Sequence, residues 1–334
     1  MNVPHPRHTY GSRFGRARAL GLPCVALVSL FSLGSLPAAE EPSAVPLALT
    51  PEMESMLRWQ IFLDHSGFSP GKIDGKDGQF TKTAKDLYAK AHASNGGDPS
   101  GAVEKPVTTY VITKEDVALV GECPSDPKEQ SKLTWLPYAS LPEVIAQKFH
   151  CGEKFFRALN ADKVAALKEG DEVRVPNVEA FSPEAAKAVK PGEGIAAGQK
   201  LPIVRVRGDI NMLQVESEGK VLAAYPVTIG SEETVTAKGE WKIKGMERLP
   251  KFRRDQKMLK EGERSSDFVM IPPGPNNPVG VLWIEIDKEG LGIHGTDQPD
   301  SIGRSASHGC IRLANWDVVR LAKLVKGGVK VIIE

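Results

Sequence analysis

The sequence predicts a multidomain protein: a small all-α module, an α+β module, and a C-terminal, mostly β domain of sandwich-like type with one capping helix. Three observations carry this reading. Apolar residues at helical spacing flank a Gly/Pro-rich turn in 50–95, two short helices run into a strand within 108–178, and period-two alternation sets in at 201 and continues to 334. With 334 residues, 41% hydrophobic, 25% charged and 25 prolines, the chain is globular in composition and proline-punctuated between domains. The stretch 201–334 alone is long enough to bury its own core.

Residues 1–39 read as an export signal. Arg13, Arg16 and Arg18 precede an uncharged stretch from Ala19 to Leu36, and Pro37-Ala38-Ala39 offers the small residues that a signal peptidase accepts, with cleavage near Ala39. An uncleaved membrane anchor is the competing reading, and Gly21, Pro23 and Gly34 weigh against it. No other segment is apolar enough to span a bilayer, so the mature protein is expected in the periplasm or cell envelope without a membrane span. Before position 40 there are four arginines and no acid, and the whole chain has 43 basic and 42 acidic side chains. The mature chain is therefore slightly acidic, which argues against nucleic acid as a partner.

Cysteine usage agrees with export. Cys24 falls in the signal and Cys310 in a motif described below, leaving Cys123 and Cys151. A disulfide between them suits an oxidising compartment, and two separate buried thiols fit the sequence equally well.

The first helix is announced by Thr50-Pro51-Glu52: a capping residue, proline at the first helical position and an early acid, followed by Met53, Leu57, Ile61 and Phe62 at helical spacing. The pattern breaks at Gly67-Phe68-Ser69-Pro70-Gly71-Lys72-Ile73-Asp74-Gly75 and resumes through Thr83, Ala84, Leu87 and Tyr88. This layout resembles the small helical peptidoglycan-binding module, and two amphipathic helices that merely pack on a neighbour are the plain alternative. A calcium loop at Asp74 to Gly78 is disfavoured, because Lys76 stands where an oxygen ligand is needed.

Ala93 to Lys105 reads as a linker. Beyond it, Ser140-Leu141-Pro142-Glu143 is a capping box that starts a helix carrying Val144, Ile145 and Phe149. A second short helix, Phe155 to Leu159, ends at Asn160, and Leu167 to Pro176 turns into a strand. The succession resembles a LysM module, a strand-helix-helix-strand unit that grips glycan, with Asn160-Ala161 where that family usually has Asn-Pro. A spacer that keeps the fold without the groove is the alternative.

Pro183 to Gly198, rich in Ala, Lys and Gly, reads as another linker. Strands follow at Ile203 to Val206, Met212 to Val215 and Val221 to Tyr225; a long connection holding Trp241, Pro250 and Pro272-Pro273-Gly274-Pro275 precedes strands at Val281 to Ile286 and Leu291 to His294. One helix comes next, capped by Asn315 and packed through Val318, Leu321, Ala322 and Val325, before Gly327-Gly328 and a closing strand.

The chemistry gathers at Ser307-His308-Gly309-Cys310-Ile311-Arg312-Leu313-Ala314-Asn315, with a second His-Gly pair, His294-Gly295, sixteen residues before Cys310. A thiol beside imidazoles is the combination needed to make and use a thiolate nucleophile. If 307–312 is extended, alternation turns His308, Cys310 and Arg312 to one side and Ser307, Gly309 and Ile311 to the other, which speaks against Ser307 as nucleophile. Gly309 lets substrate approach and leaves backbone N–H groups near Cys310 to hold an oxyanion. His294 is the expected proton acceptor and donor, with the Gly295 carbonyl fixing its tautomer. Zinc held by His294, His308 and Cys310 lacks an evident fourth ligand, so neither metal nor cofactor is expected. Asp297 and Asp300 read as solvated turn residues.

These residues resemble the catalytic signature of the L,D-transpeptidase (YkuD) family, including the trailing Arg312 and Asn315, and the likeness covers most of 201–334. Tyr225 to Gly230 and Ile271 to Gly280 are similar to further family segments. Thr236-Ala237-Lys238-Gly239 departs from the usual Thr-Pro-x-Gly, at a turn expected to lie away from the reacting groups. The resemblance implies that Cys310 attacks the L-centre carbonyl of stem residue three of a peptidoglycan tetrapeptide and expels D-alanine. The acyl group then passes to an amine, either of a second stem peptide or of a wall-anchored protein, with His308 and Arg312 supporting substrate or charge. A cysteine hydrolase that trims peptidoglycan and a non-catalytic wall-binding protein are the alternatives.

Overall fold

A computed structural model of the chain describes residues 45–92, 98–230, 236–304 and 309–334. The expected signal segment 1–39 lies outside the described residues, and among those described no helix is long and apolar enough to cross a membrane. Ser43–Glu334 is a single compact unit.

Its largest element is one continuous sheet in place of two stacked ones. From edge to edge the strands are Ile311–Arg312, Gly292–His294, Leu282–Ile286, Gly239–Arg248, Lys330–Ile333, Ile203–Arg207, Met212–Ser217 and Lys220–Pro226. All neighbours are antiparallel except the outermost pair at the Ile311 edge and the central pair Lys330–Ile333 with Ile203–Arg207. The sheet curls until its edges meet. Just past Pro226, Thr228 exchanges two backbone hydrogen bonds with Arg312 (3.0 and 2.9 Å), joining the far edge strand to the Ile311–Arg312 strand. Closure of this kind removes exposed edges and ties the start of the domain to its end.

The core inside the sheet is built from Val204, Val206, Leu213, Val215, Ile284, Ile293, Ile311, Leu313 and Val331, all fully buried, with the helix Asn315–Leu324 laid across it through Val318, Leu321 and Ala322. Gly239–Arg248, a central strand, falls in what the sequence reads as a connection. Only Ile243 on it is buried, so its alternation is too weak to announce a strand.

The helix Pro51–His65 starts at Thr50, whose hydroxyl accepts from Met53 N at 3.3 Å, and pairs with Gln79–His92. Between them the side chain of Gln60 fills the loop: its Oε1 accepts from Asp74 N and Gly75 N, and its Nε2 donates to Asp74 Oδ1. The next unit pairs strands Val107–Val111 and Glu172–Pro176 antiparallel around the helices Leu141–Lys148 and Glu153–Leu159. The expected capping box at Ser140 forms by half: Ser140 Oγ accepts from Glu143 N (3.3 Å), but the Glu143 carboxylate accepts from Ala139 N (2.7 Å), one residue before the cap. Cys123 and Cys151 are separate thiols, the first half-buried beside Asn276 and the second buried.

The N-terminal elements dock against the sheet. Ser69 N donates to Ala224 O (2.8 Å) and Ala224 N to Gly67 O (3.0 Å), so the turn after the first helix extends the edge strand. Behind it Arg320 grips Asp64 with two hydrogen bonds (2.8 and 2.9 Å), His150 contacts the same carboxylate at 3.1 Å and stacks on Trp316, and Ser69 Oγ donates to Asp317 at 3.0 Å. The segment expected as a second linker is likewise fixed: Pro183–Ala188 is a helix with Ala186 buried, Val189 O accepts from Arg248, and Gly192 N and Gly194 N donate to Ala322 and Lys323. Ala and Lys are good helix formers, and a composition that looks like a spacer becomes a packed strap when an apolar face is offered to it.

Candidate active site

Ile311 and Leu313 are fully buried in the core, so alternation turns Cys310 and Arg312, both half-buried, to the opposite face. The parallel register sets Ile293 beside Ile311 and His294 beside Arg312, and Leu313 N donates to His294 O at 2.8 Å. Cys310 thus sits one residue before the ladder, next to the Gly292 end of the neighbouring strand. Its thiol donates to Gly290 O at 3.6 Å. Burial pushes the Cys310 pKa up, while the Gly292 N–H and Arg312 draw it down.

The extended conformation does not continue upstream. Gly309 has φ +106°, a backbone region that a side chain would strain, and 309–310 form a bend. The expected wall of His308, Cys310 and Arg312 therefore does not follow from alternation, and His308 and Ser307 lie outside the described residues. The bend is held by Thr236. This buried hydroxyl donates to Gly309 O (2.8 Å) and accepts from Gly230 N (2.7 Å). The Thr-Ala-Lys-Gly turn is therefore part of the site, contrary to the expectation that it lies apart from the reacting groups.

His294 is 3% exposed, with Nδ1 2.6 Å from Gly295 O. A carbonyl can only accept, so Nδ1 carries the proton and Nε2 keeps its lone pair. Trp283 stacks on the imidazole with centroids 5.2 Å apart and planes 13° from parallel. Its indole also covers Gly292, where any Cβ would intrude on the ring. Burial lowers the His294 pKa to about 4; the Gly295 carbonyl opposes this and the Arg312 charge adds to it. The imidazole is thus neutral near pH 7, beside a thiol whose pKa burial raises.

Asn315 does not cap its helix; Ala314 is the N-cap. Instead the Asn315 side chain, fully buried, accepts from Val281 N (3.1 Å) and donates to Pro275 O (3.3 Å) and to Gln147 Oε1 (3.4 Å). It binds the proline-rich loop and the helix Leu141–Lys148 to the motif. Over the other side of Trp283 stands a hairpin, Phe252–Arg254 with Val269–Ile271, carrying a short helix Gln256–Glu261 whose Asp255 cap is tied to Ser265 and Arg253. Trp283, Arg253, Arg264 and Met258 line a cavity of about 260 Å³ beneath it. Asp297 is largely enclosed, its pKa raised by burial, and Asp300 pairs with Lys72 at 2.5 Å. Asp300 is the exposed turn residue expected of it, whereas Asp297 is half-buried. Trp283 and Gln147 were not singled out from sequence, since an indole and an amide in distant segments leave no spacing signature; Thr236 stood in the Thr-x-x-Gly turn the sequence marked, but without a role.

Among the described residues no three His, Cys, Asp or Glu side chains gather to hold a metal. The sequence model of YkuD, the L,D-transpeptidase catalytic domain, matches residues 203–333. A putative L,D-transpeptidase YkuD of Bacillus subtilis is 30% identical over 152 residues, 42% of this chain and 77% of that protein. The putative L,D-transpeptidase YqjB of the same organism is 33% identical over 137 residues, 40% of this chain and 70% of its own length. Among solved structures, an L,D-transpeptidase from Mycobacterium smegmatis aligns at 18% identity and TM-score 0.32 over 40% of this chain, which spans 58% of that one.

Proposed function

The chain belongs to the L,D-transpeptidase family of enzymes, and on that premise we propose that it acts on the bacterial cell wall through a Cys310 thioester. In the first half-reaction Nε2 of His294 takes the thiol proton as Sγ attacks the carbonyl of the L-centre of stem residue three in a peptidoglycan tetrapeptide. Backbone N–H groups at the Gly309-Cys310 bend hold the developing oxyanion, and Arg312, with His308, supports charge. Collapse of the tetrahedral intermediate breaks the peptide bond, and the imidazolium returns its proton to the departing amine of D-alanine. An acceptor amine then attacks the thioester, giving a 3-3 crosslink or a protein-wall linkage, and the proton it loses returns through His294 to the sulfur.

The observation that supports this most is the fixed, neutral imidazole of His294 on the strand beside Cys310, its Nδ1 committed to Gly295 O. The helical pair near the N-terminus is proposed to grip peptidoglycan and the strand-helix-helix-strand unit to hold glycan as a LysM-like module. Both are consistent with an exported, envelope-resident enzyme whose substrate is an insoluble polymer.

The test incubates the mature chain with disaccharide-tetrapeptide and reads products by mass. Loss of D-alanine together with dimers is expected; loss without dimers marks a hydrolase, and Cys310→Ala must abolish both. A carbapenem should add covalently to Cys310, and an unchanged intact mass after long exposure counts against the assignment.

A further inference from the structure

A cavity of about 410 Å³ lies where the helical pair near the N-terminus meets the catalytic domain. One wall is the turn after the first helix and the start of the second, with Gly71, Lys72 and Phe80. The other is the loop 299–304, on the path from His294 to Cys310, together with the first turn of the helix Asn315–Leu324. The walls are tied to each other. Lys72 pairs with Asp300 at 2.5 Å, and the Phe80 ring lies so close over Gly303 that a Cβ there would run into it. The volume falls in the range of small-molecule sites.

The helix side of this cavity carries two buried polar groups without partners. Trp316 is 2% exposed, and its indole N–H meets no acceptor among the described residues. Asp317 is 1% exposed; its Oδ2 accepts from Ser69 Oγ at 3.0 Å, while Oδ1 has no partner among the described residues. Both residues line the cavity. Buried polar groups are nearly always paired, because an unpaired one has given up water and gained nothing. Two consecutive residues that depart from this rule at one cavity mark a place where a ligand completes the pairing.

The chemistry of the lining narrows the ligand. One open group donates and the other accepts, and a hydroxyl can answer both. The remaining acids are engaged: Asp300 by Lys72, Asp209 by Arg207, and Asp74 by the Gln60 amide and Lys76 N. An ammonium group would meet Lys72, Lys76 and Arg304, and a carboxylate buried at the helix would meet Asp317. A neutral ligand rich in hydroxyls fits, and Phe80 offers an aromatic face to the apolar side of a sugar ring.

We propose that this cavity is a glycan site, taking a sugar of the peptidoglycan strand between the helical pair and the helix that follows the catalytic motif. The inference rests on the wall-binding reading of the helical pair above and places the grip where neither unit forms it alone. A strand seated there lies against the loop 299–304, so the wall is held beside the chain that leads to Cys310.

The test uses the full mature chain and, as probe, the peptide-free disaccharide of N-acetylglucosamine and N-acetylmuramic acid. In nitrogen-15 spectra the Trp316 indole N–H, identified by its disappearance in Trp316→Phe, should move and saturate as disaccharide is added. Free stem tetrapeptide should leave it in place. Asp317→Asn keeps an acceptor for Ser69 but weakens the one offered to the sugar, and Phe80→Ala removes the aromatic face; in each the midpoint of the indole titration should rise about tenfold. This readout ignores glycan bound elsewhere on the chain. An indole signal that disregards the disaccharide overturns the site, as do midpoints unchanged in both variants. A signal moved by the tetrapeptide and not by the disaccharide overturns the choice of glycan. Sedimentation with insoluble cell wall separates this inference from the reading beneath it: a chain that pellets while the indole never moves keeps wall binding and loses this site, and a chain that does neither loses both.

Discussion

Burial keeps His294 neutral down to about pH 4, and this sets how the site meets acid. The base form is lost as pH falls through the folded-state pKa, so the acid limb of Cys310 acylation should lie near pH 4 and not near the ordinary imidazole value of about 6.5. Following carbapenem addition by intact mass from pH 3.5 to 8 locates the limb; a midpoint near 6.5 would mean the imidazole is solvated in the working enzyme. Trp283 is what seals one face of the ring. Trp283→Ala should therefore move the limb upward, a shift that loss of packing alone would not produce. The roles proposed for His294, Gly295 and Cys310 come from residue type and spacing, because a nucleophile and its base must both be reactive side chains. Trp283 is not readable, since it acts through the space it denies to water.

At the scale of elements, the bend before Cys310 is shaped by a hydroxyl from another segment. Thr236 Oγ1 bridges Gly230 N and Gly309 O across the mouth of the motif strand. Thr236→Val keeps the shape and leaves Gly230 N without its acceptor, which should cost about 1–3 kcal/mol of stability and slow acylation by about tenfold or more as the bend loosens. Thr236→Ser should recover most of both. Equal acylation rates in the valine variant and wild type would show that the bend holds itself. Sequence patterns locate the helix starts at Thr50 and Ser140 because capping is a local contest for backbone N–H groups. They miss Gly239–Arg248, whose charged residues are tolerated only because neighbours on both sides complete its ladder. They also misassign Asn315, which has better partners across the fold than at its own helix end.

For the whole molecule, the seam around Asp64 decides whether three segments act as one. Burial would raise the Asp64 pKa, but His150 and Arg320 outweigh it and hold the carboxylate ionised; burial lowers His150, so its ring is neutral near pH 7 and contributes a hydrogen bond. Asp64→Ala leaves Arg320 and His150 buried without their shared acceptor and should cost roughly 3–5 kcal/mol, with the N-terminal helices and the sheet still melting in one transition. Melting that splits in two, or does not shift, would show the seam to be loose. Asp317 behaves oppositely. Burial pushes its pKa up to about 7, so the folded state prefers it protonated. The stability it withholds grows as pH rises from about 4, its unfolded value, through 7, and Asp317→Asn should stabilise the protein above pH 7 by at most about 4 kcal/mol while changing little at pH 4. Denaturant melts at both pH values check the sign.

The sequence by itself determined the reactive groups and the local elements: a cysteine and a histidine at motif spacing, capped helices, and a strand-rich C-terminal half. These depend on residue identity and near neighbours, which the chain order contains. The tertiary structure alone decided that a single sheet closes on itself at Thr228 and Arg312, that the presumed second linker is a packed strap, and that Glu143 and Gln147 come to stand beside the loop after His294. Those outcomes follow from burial and long-range hydrogen bonding, in which a group's best partner is the one that shields both from water, however far away along the chain it lies.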